Sequence, residues 1–376
     1  MTRPAPQVVA LLGSFAPSLI NFRGPLIEAM VGRGHRVHAL APDIDGPTAA
    51  QLRSIGAEPR SVELARTSLN PLRTLASQRS LSRLFRELRP DLVIAYTIKP
   101  VVLGAAAARA AGVERFVPMV TGLGYAFTGG FEPKRILSRV AASLMYRRAF
   151  ARSTVALFQN PDDLADFRRL RLLPAALPTA LINGSGVDTR RFAEVPVPEG
   201  PPSFLMIGRL LGDKGVREYG SAAARLKREH PEVRVSLAGW IDPSPDAIGQ
   251  AELDSLVASG IDYLGRLDDV RPAIAAHSVY VLPSYREGTP RSVLEAMATG
   301  RAIVTSDAPG CRQTVIEGEN GLLAPPRDSD ALYRAMLRFV EEPDLAFRLG
   351  PRSRRIAEQR FDVDAVNSEI LRLAGL

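Results

Sequence analysis

Glu287-Gly288-Thr289-Pro290-Arg291-Ser292-Val293-Leu294-Glu295-Ala296-Met297-Ala298-Thr299-Gly300 lies between two short apolar runs, Val279–Pro283 and Ala302–Ser306. Runs of that length with β-branched residues read as buried strands. Between them the spacing predicts a helix over Pro290–Thr299, with Thr289 as its cap and proline in its first turn. Strand, helix, strand is a βαβ unit, and its two strands must run parallel. Glu287 is expected in the loop above the first strand, and Glu295 inside the helix. A helix start presents unpaired N–H groups and positive dipole, which suits a phosphate. Carboxylates before and within it can accept hydrogen bonds from sugar hydroxyls. A capped helix with a solvated glutamate accounts for the same residues equally well.

The alternation extends in both directions. On the C-terminal side Ser329–Glu341 and Asp362–Leu376 read as helices. On the N-terminal side Ser203–Gly208 and Val233–Ala238 read as strands, Glu218–Glu229 and Asp268–His277 as helices. The stretch Gly184–Pro202 has the glycine, proline and polar content of a linker. Before it, strands are expected at Val8–Gly13, Arg36–Ala41, Asp91–Tyr96, Phe116–Val120 and Thr154–Gln159. Helices are expected at Phe22–Arg33, Leu69–Leu88, Leu103–Ala111 and Pro133–Arg152. The chain of 376 residues therefore divides into two α/β domains, 1–187 and 188–361, with mainly parallel sheets.

Two further stretches carry chemistry. Gly208-Arg209-Leu210-Leu211-Gly212-Asp213-Lys214-Gly215 reads as the loop after the second domain's first strand. Arg209 and Lys214 there can clamp a diphosphate, and an ordinary basic loop is the alternative. Gly310-Cys311-Arg312-Gln313-Thr314-Val315, followed by Glu317-Gly318-Glu319-Asn320-Gly321-Leu322-Leu323, reads as a loop, a short helix and a turn.

Composition narrows the chemistry. Cys311 is the only cysteine, which leaves no internal disulfide framework and no cysteine-rich zinc site. His35, His38, His230 and His277 lack metal-ligand spacing and read as structural or solvated. Asp-x-Asp triplets at Asp43/Asp45, Asp328/Asp330 and Asp362/Asp364 fall after a strand, at a helix start and before the last helix. No metal site and no cofactor are expected. No apolar run reaches the roughly 18 residues of a membrane span. Val8–Leu12, after Arg3, reads as a buried strand rather than a secretory signal, so a cytoplasmic chain is expected.

Lys and Arg number 48 against 40 Asp and Glu, an excess of eight positive charges. Lys134, Arg135, Arg139, Arg147, Arg148 and Arg152 crowd one predicted helix, where Arg135, Arg139 and Arg147 share a face. Ile136, Leu137, Val140 and Leu144 can form the adjoining apolar face. Arg73, Arg79, Arg83, Arg86 and Arg89 make a second basic stretch. A basic amphipathic helix suits an anionic membrane surface. Packing of the apolar face on the domain's own sheet is the alternative. Without interleaved aromatics or a known module, no nucleic-acid partner is expected.

Taken together, these residues resemble the retaining glycosyltransferases of family 4, which have the GT-B fold. Glu287 and Glu295 match the family's E-x7-E signature. Gly208-Arg209…Lys214-Gly215, Asn183-Gly184…Gly186-Val187-Asp188 and Gly321-Leu322-Leu323 match as well. Asn21-Phe22-Arg23-Gly24-Pro25-Leu26, Tyr96-Thr97-Ile98-Lys99-Pro100 and Thr121-Gly122-Leu123-Gly124-Tyr125 are similar to the bacterial capsule and lipid-linked oligosaccharide branch. The resemblance implies two Rossmann-like domains facing each other across a cleft, with the final helix 362–376 completing the first. That first domain would be the acceptor and membrane-facing domain, with Lys134, Arg135, Arg139, Arg147 and Arg148 toward lipid. The second would hold the nucleotide-sugar donor.

Residue by residue, the resemblance implies that Arg209 and Lys214 hold the nucleotide diphosphate. Glu287 would contact the donor sugar, and Glu295 the ribose hydroxyls. The amides of Gly288, Thr289 and Pro290 would face sugar and phosphate. Gly13 would lie where backbone approaches the phosphate, and Arg266 in the base-binding loop. Many members carry a histidine after the strand corresponding to Phe116–Val120; this chain has Thr121-Gly122-Leu123 there. The implied activity is metal-independent, retaining transfer of an N-acetylhexosamine from a UDP-sugar to a polyprenyl-diphosphate-linked saccharide. It would take place at the inner face of the plasma membrane, in surface polysaccharide or glycoconjugate synthesis. A UDP-sugar 2-epimerase of the same fold, or a non-catalytic sugar-nucleotide or membrane-binding protein, is the alternative. The E-x7-E match and the basic helix argue against the epimerase, and the intact Arg209, Lys214 and Glu287 against the binder.

Overall fold

The structure is a computed structural model that describes residues 5–64, 71–122, 143–244 and 246–376. Two compact units make up the chain, Met1–Ser185 with Asp364–Leu376, and Gly186–Val363. Each is built on a parallel sheet.

In the first unit the strands are β1 (Val8–Leu12), β2 (Arg36–Ala41), β3 (Glu58–Ser61), β4 (Leu92–Tyr96), β5 (Arg115–Val120), β6 (Ala156–Phe158) and β7 (Thr179–Leu181). They lie in the order β3-β2-β1-β4-β5-β6-β7. Alternate side chains serve opposite faces. Val9 and Leu11 of β1, with Leu92 and Ile94 of β4, join one core cluster. Ala10, Leu12, Val93 and Ala95 join another. Burial on both faces is why these strands read as continuous apolar runs. The last helix, Val363–Ala374, adds Val366, Ile370 and Leu371 to the first of these clusters.

The second unit holds β8 (Ser203–Leu210), β9 (Arg234–Ile241), β10 (Asp262–Gly265), β11 (Val279–Leu282), β12 (Ala302–Ser306) and β13 (Gly321–Ala324). Their order is β10-β9-β8-β11-β12-β13. In both sheets the order reverses beside the first strand, between β1 and β4 and between β8 and β11. Ligands of doubly wound sheets bind outside the carboxyl ends of the strands at that switch point.

Several expectations are corrected. β8 runs two residues past Gly208, so Arg209 stands at the end of a strand rather than in a loop. Gly321-Leu322-Leu323 is edge strand β13, not a turn. The helix after Thr289 begins at Arg291, with Pro290 at the cap position and no side-chain cap bond. The helix expected at Phe22–Arg33 is Gly24–Gly32, and a separate short helix, Ala16–Asn21, precedes it. The 17-residue helix Leu345–Phe361 lacks a counterpart in the sequence reading. Two of the Asp-x-Asp triplets serve helix starts, with Asp45 accepting from the Thr48 amide at 2.8 Å and Asp328 from the Ala331 amide at 2.8 Å. Asp362 accepts from the Thr189 hydroxyl at 3.1 Å.

His277 is buried, 3% exposed, with Nε2 2.8 Å from the Ser236 hydroxyl and Nδ1 2.7 Å from the Ala273 carbonyl. Burial pushes its pKa down to about 4. The unfolded chain therefore takes up the proton first. His277 contributes nothing to pH dependence above about pH 6.5, and costs stability as pH falls from there toward 4, up to roughly 3 kcal/mol. Chemical denaturation between pH 4 and 7 should show that loss in the native chain and a flatter profile in His277→Gln. Parallel profiles would contradict the assignment.

Candidate active site at the second switch point

The loops that leave β8 and β11 are bound together. The Tyr285 amide donates to the Asp213 carbonyl at 2.9 Å, and the Ser284 hydroxyl to the same oxygen at 3.1 Å. Residues Gly212–Lys214 form one 3-10 turn, closed by Gly215 at φ +75°. A Cβ on Gly215 would sit 2.2 Å from the Pro283 carbonyl oxygen. Only glycine tolerates both that φ and that approach. The third stretch closes the other side. The Glu287 amide donates to the Pro309 carbonyl at 2.9 Å. Gly310, at φ +81°, leaves room for the Glu287 carbonyl, which would lie 2.1 Å from a Cβ there.

This framework brings Lys214 and Glu287 together. Lys214 Nζ donates to Glu287 Oε1, and both side chains are largely enclosed. Asp213, desolvated beside them, has its carboxyl pKa raised by burial. Arg209, at the end of β8, donates to Asp242 at 3.2 Å. In the helix after the loop, Glu295 accepts from Arg291 Nε at 2.8 Å, and burial raises its carboxyl pKa. Gly288, Thr289 and Pro290 connect Glu287 to this helix. Arg266, past β10, holds its guanidinium 5.2 Å from the ring centre of Trp240, which projects from β9 with 42% exposure. Apart from Glu295, which lies inside the helix, the second-unit positions expected from sequence thus lie at carboxyl ends of strands or in the turns that follow them. Asp242 and Trp240 were not expected. Their only signal is position, since both follow the β9 run that the sequence reading ended at Ala238.

In the first unit, Gly13 follows β1. A Cβ there would be 2.3 Å from the Tyr96 hydroxyl, so packing within this unit already demands glycine. Tyr96 is buried, bonded to Ser18 Oγ at 2.8 Å, and burial raises its pKa to about 12. Lys134, Arg135 and Arg139, with Ile136, Leu137 and Val140, lie outside the described residues. Residues 143–150 are helical. Arg148 is exposed, whereas Arg147 donates to the Arg171 carbonyl at 2.7 Å. Leu144 and Met145 are exposed at 49% and 41%, so Leu144 does not join the core; Tyr146, Ala149 and Phe150 do. Arg73, Arg79, Arg83, Arg86 and Arg89 are exposed. Among the described residues no helix is long and apolar enough to cross a membrane.

Comparison with known proteins gives a consistent assignment. The model "Glycosyl transferases group 1" matches residues 201–342, and "Glycosyl transferase 4-like domain" matches residues 23–184. The N,N'-diacetylbacillosaminyl-diphospho-undecaprenol alpha-1,3-N-acetylgalactosaminyltransferase of Campylobacter jejuni is 28% identical over 379 residues, covering 97% of each chain. Sucrose-phosphate synthase of Thermosynechococcus elongatus superposes with a TM-score of 0.80 at 20% identity, over 98% of each chain. HepE of Anabaena, in complex with UDP and glucose, gives 0.78 at 20% identity, over 98% of this chain and 100% of its own.

Proposed function

The chain belongs to the group 1 glycosyl transferases with the GT-B fold, and on that premise we propose that it transfers an N-acetylhexosamine from a UDP-sugar to a polyprenyl-diphosphate-linked saccharide. The observation that carries the reading is the cluster of Arg209, Lys214 and Glu287 at the second switch point. A departing nucleoside diphosphate gains negative charge as the glycosidic bond breaks. Arg209 and Lys214 supply fixed positive charge to it, without a metal. Glu287 accepts hydrogen bonds from the sugar hydroxyls, and Glu295 from the ribose. Arg266 completes the donor contacts within the second unit. Transfer proceeds with retention of anomeric configuration and without a glycosyl-enzyme adduct. UDP as donor nucleotide is supported by the UDP in the HepE complex, and the lipid-linked acceptor by the name of the Campylobacter relative.

A panel of UDP- and GDP-sugars should raise the melting temperature selectively, because a ligand bound only to the folded state stabilises it by mass action. The expected result is stabilisation by a UDP-N-acetylhexosamine, and stabilisation by GDP-sugars alone would refute the donor assignment.

The reading also places the chain at the inner face of the plasma membrane, with the 134–148 segment toward anionic lipid. Exposed Leu144, Met145 and Arg148 support this. Vesicles containing phosphatidylglycerol should pellet the protein at low salt and release it as salt rises. Lys134/Arg135/Arg139/Arg148→Glu should abolish pelleting. Arg147 is left intact there because it holds the Arg171 carbonyl. Undiminished pelleting of the charge-reversed protein would sink the membrane assignment.

A further inference from the structure

Arg209 is already engaged by a carboxylate. Its guanidinium lies 3.2 Å from Asp242 Oδ2, and the two partners differ in burial: the arginine side chain is 42% exposed, the aspartate only 17%. Asp242 follows directly on β9, whose register with β8 sets Arg209 opposite Trp240 and Leu210 opposite Ile241. The strand pairing therefore places Asp242 beside Arg209, with the carboxylate the more buried partner and the guanidinium retaining access to solvent. Lys214 is in the same condition, since it is occupied by Glu287. Each cation proposed to meet a diphosphate is already neutralised by a carboxylate.

We propose that Asp242 is a positioning residue, the counter-ion that holds Arg209 until a diphosphate displaces it. This rests on the donor reading of the site. Two consequences follow from electrostatics. First, a diphosphate must take the guanidinium from Asp242, so the Arg209–Asp242 pair competes with binding and Asp242 opposes affinity through Arg209. Second, before a diphosphate binds, the ion pair holds Arg209 in one orientation rather than leaving a long side chain free among its rotamers. Glu287 differs, because the exchange at Lys214 frees it for the sugar. Asp242 gains no such partner from the reading, so its effect falls on the diphosphate alone.

The test is calorimetric titration of UDP and of inorganic pyrophosphate into the native chain, Asp242→Asn, Asp242→Glu, Arg209→Ala and the double variant Arg209→Ala/Asp242→Asn. Asp242→Asn should bind both probes about threefold to tenfold more tightly, the scale of one partly exposed charge interaction. Asp242→Glu should restore near-native affinity. In the Arg209→Ala background the gain should shrink to less than twofold, because the effect acts through the guanidinium. Raised salt should shrink it as well. Unchanged or weaker binding by Asp242→Asn overturns the proposal while leaving the donor reading intact. A gain of equal size without Arg209 also overturns it. If the native chain binds neither probe, the donor reading and this proposal fall together. Melting curves of each variant establish that the folded protein is being compared.

Discussion

Lys214→Ala should lower kcat/KM by about 100- to 1,000-fold, the scale on which single preorganised charge-stabilising groups act. Most of the loss should appear in kcat, because the leaving diphosphate carries more charge in the transition state than in the bound donor. Lys214 is suited to this role by its surroundings. It sits in the 3-10 turn that the Asp213 carbonyl ties to Ser284 and Tyr285, so the ammonium is delivered by a fixed loop. It is also partly desolvated, which strengthens its field. The variant leaves Glu287 without its cation. That costs stability on the order of 1–3 kcal/mol, so melting curves must accompany the kinetics. Glu287→Gln should separate the two roles, keeping the cation but weakening sugar contacts. Full turnover by folded Lys214→Ala at saturating donor would show that the diphosphate lies elsewhere.

Gly215→Ala should be among the most damaging small substitutions in the second unit. The new Cβ meets the Pro283 carbonyl oxygen at 2.2 Å, an atom that cannot rotate away, and the backbone there has φ +75°. The left-handed conformation alone costs about 1–2 kcal/mol for a residue with a Cβ. Separating the two loops adds to it, for a total of about 3 kcal/mol or more. A unit of this size should then melt roughly 6–12 °C lower. Activity should fall beyond the loss of folded protein, because the same shift parts Lys214 from Glu287. Gly249→Ala is the control. Gly249 caps the helix Gln250–Ala258 at φ −76°, and nothing lies within 4 Å of a Cβ there. Equal losses from both substitutions would mean that loop packing does not position the site.

The sheets were legible because burial on both faces writes itself into the chain. Arg36–Ala41 and Ala302–Ser306 begin and end where the apolar runs do. The helix Leu345–Phe361 was not, because Gly350-Pro351 is the signature of a break. Packing overrides it: a Cβ on Gly350 would stand 2.4 Å from the Gly300 carbonyl oxygen, so the glycine is there for close approach, and the helix continues through Pro351. β13 was hidden for a related reason, since its glycine lies against Ile303 of β12 and reads as a turn. At the site, Lys214, Glu287 and the glycines around them carried local signals. The Lys214–Glu287 pairing spans 73 residues, and no local pattern encodes it. Asp242 was invisible because an aspartate after a strand is an ordinary turn residue until its neighbour across the sheet is known.

The most direct measurement of the central claim is mass spectrometry of a polyprenyl-diphosphate saccharide incubated with a UDP-N-acetylhexosamine and the protein, beside a reaction lacking the lipid. The expected result is a lipid-linked product heavier by one N-acetylhexosamine, UDP released only when the acceptor is present, and donor intact without it. A donor sugar isomerised in the absence of acceptor, or an acceptor unchanged while the donor is demonstrably bound, would contradict it.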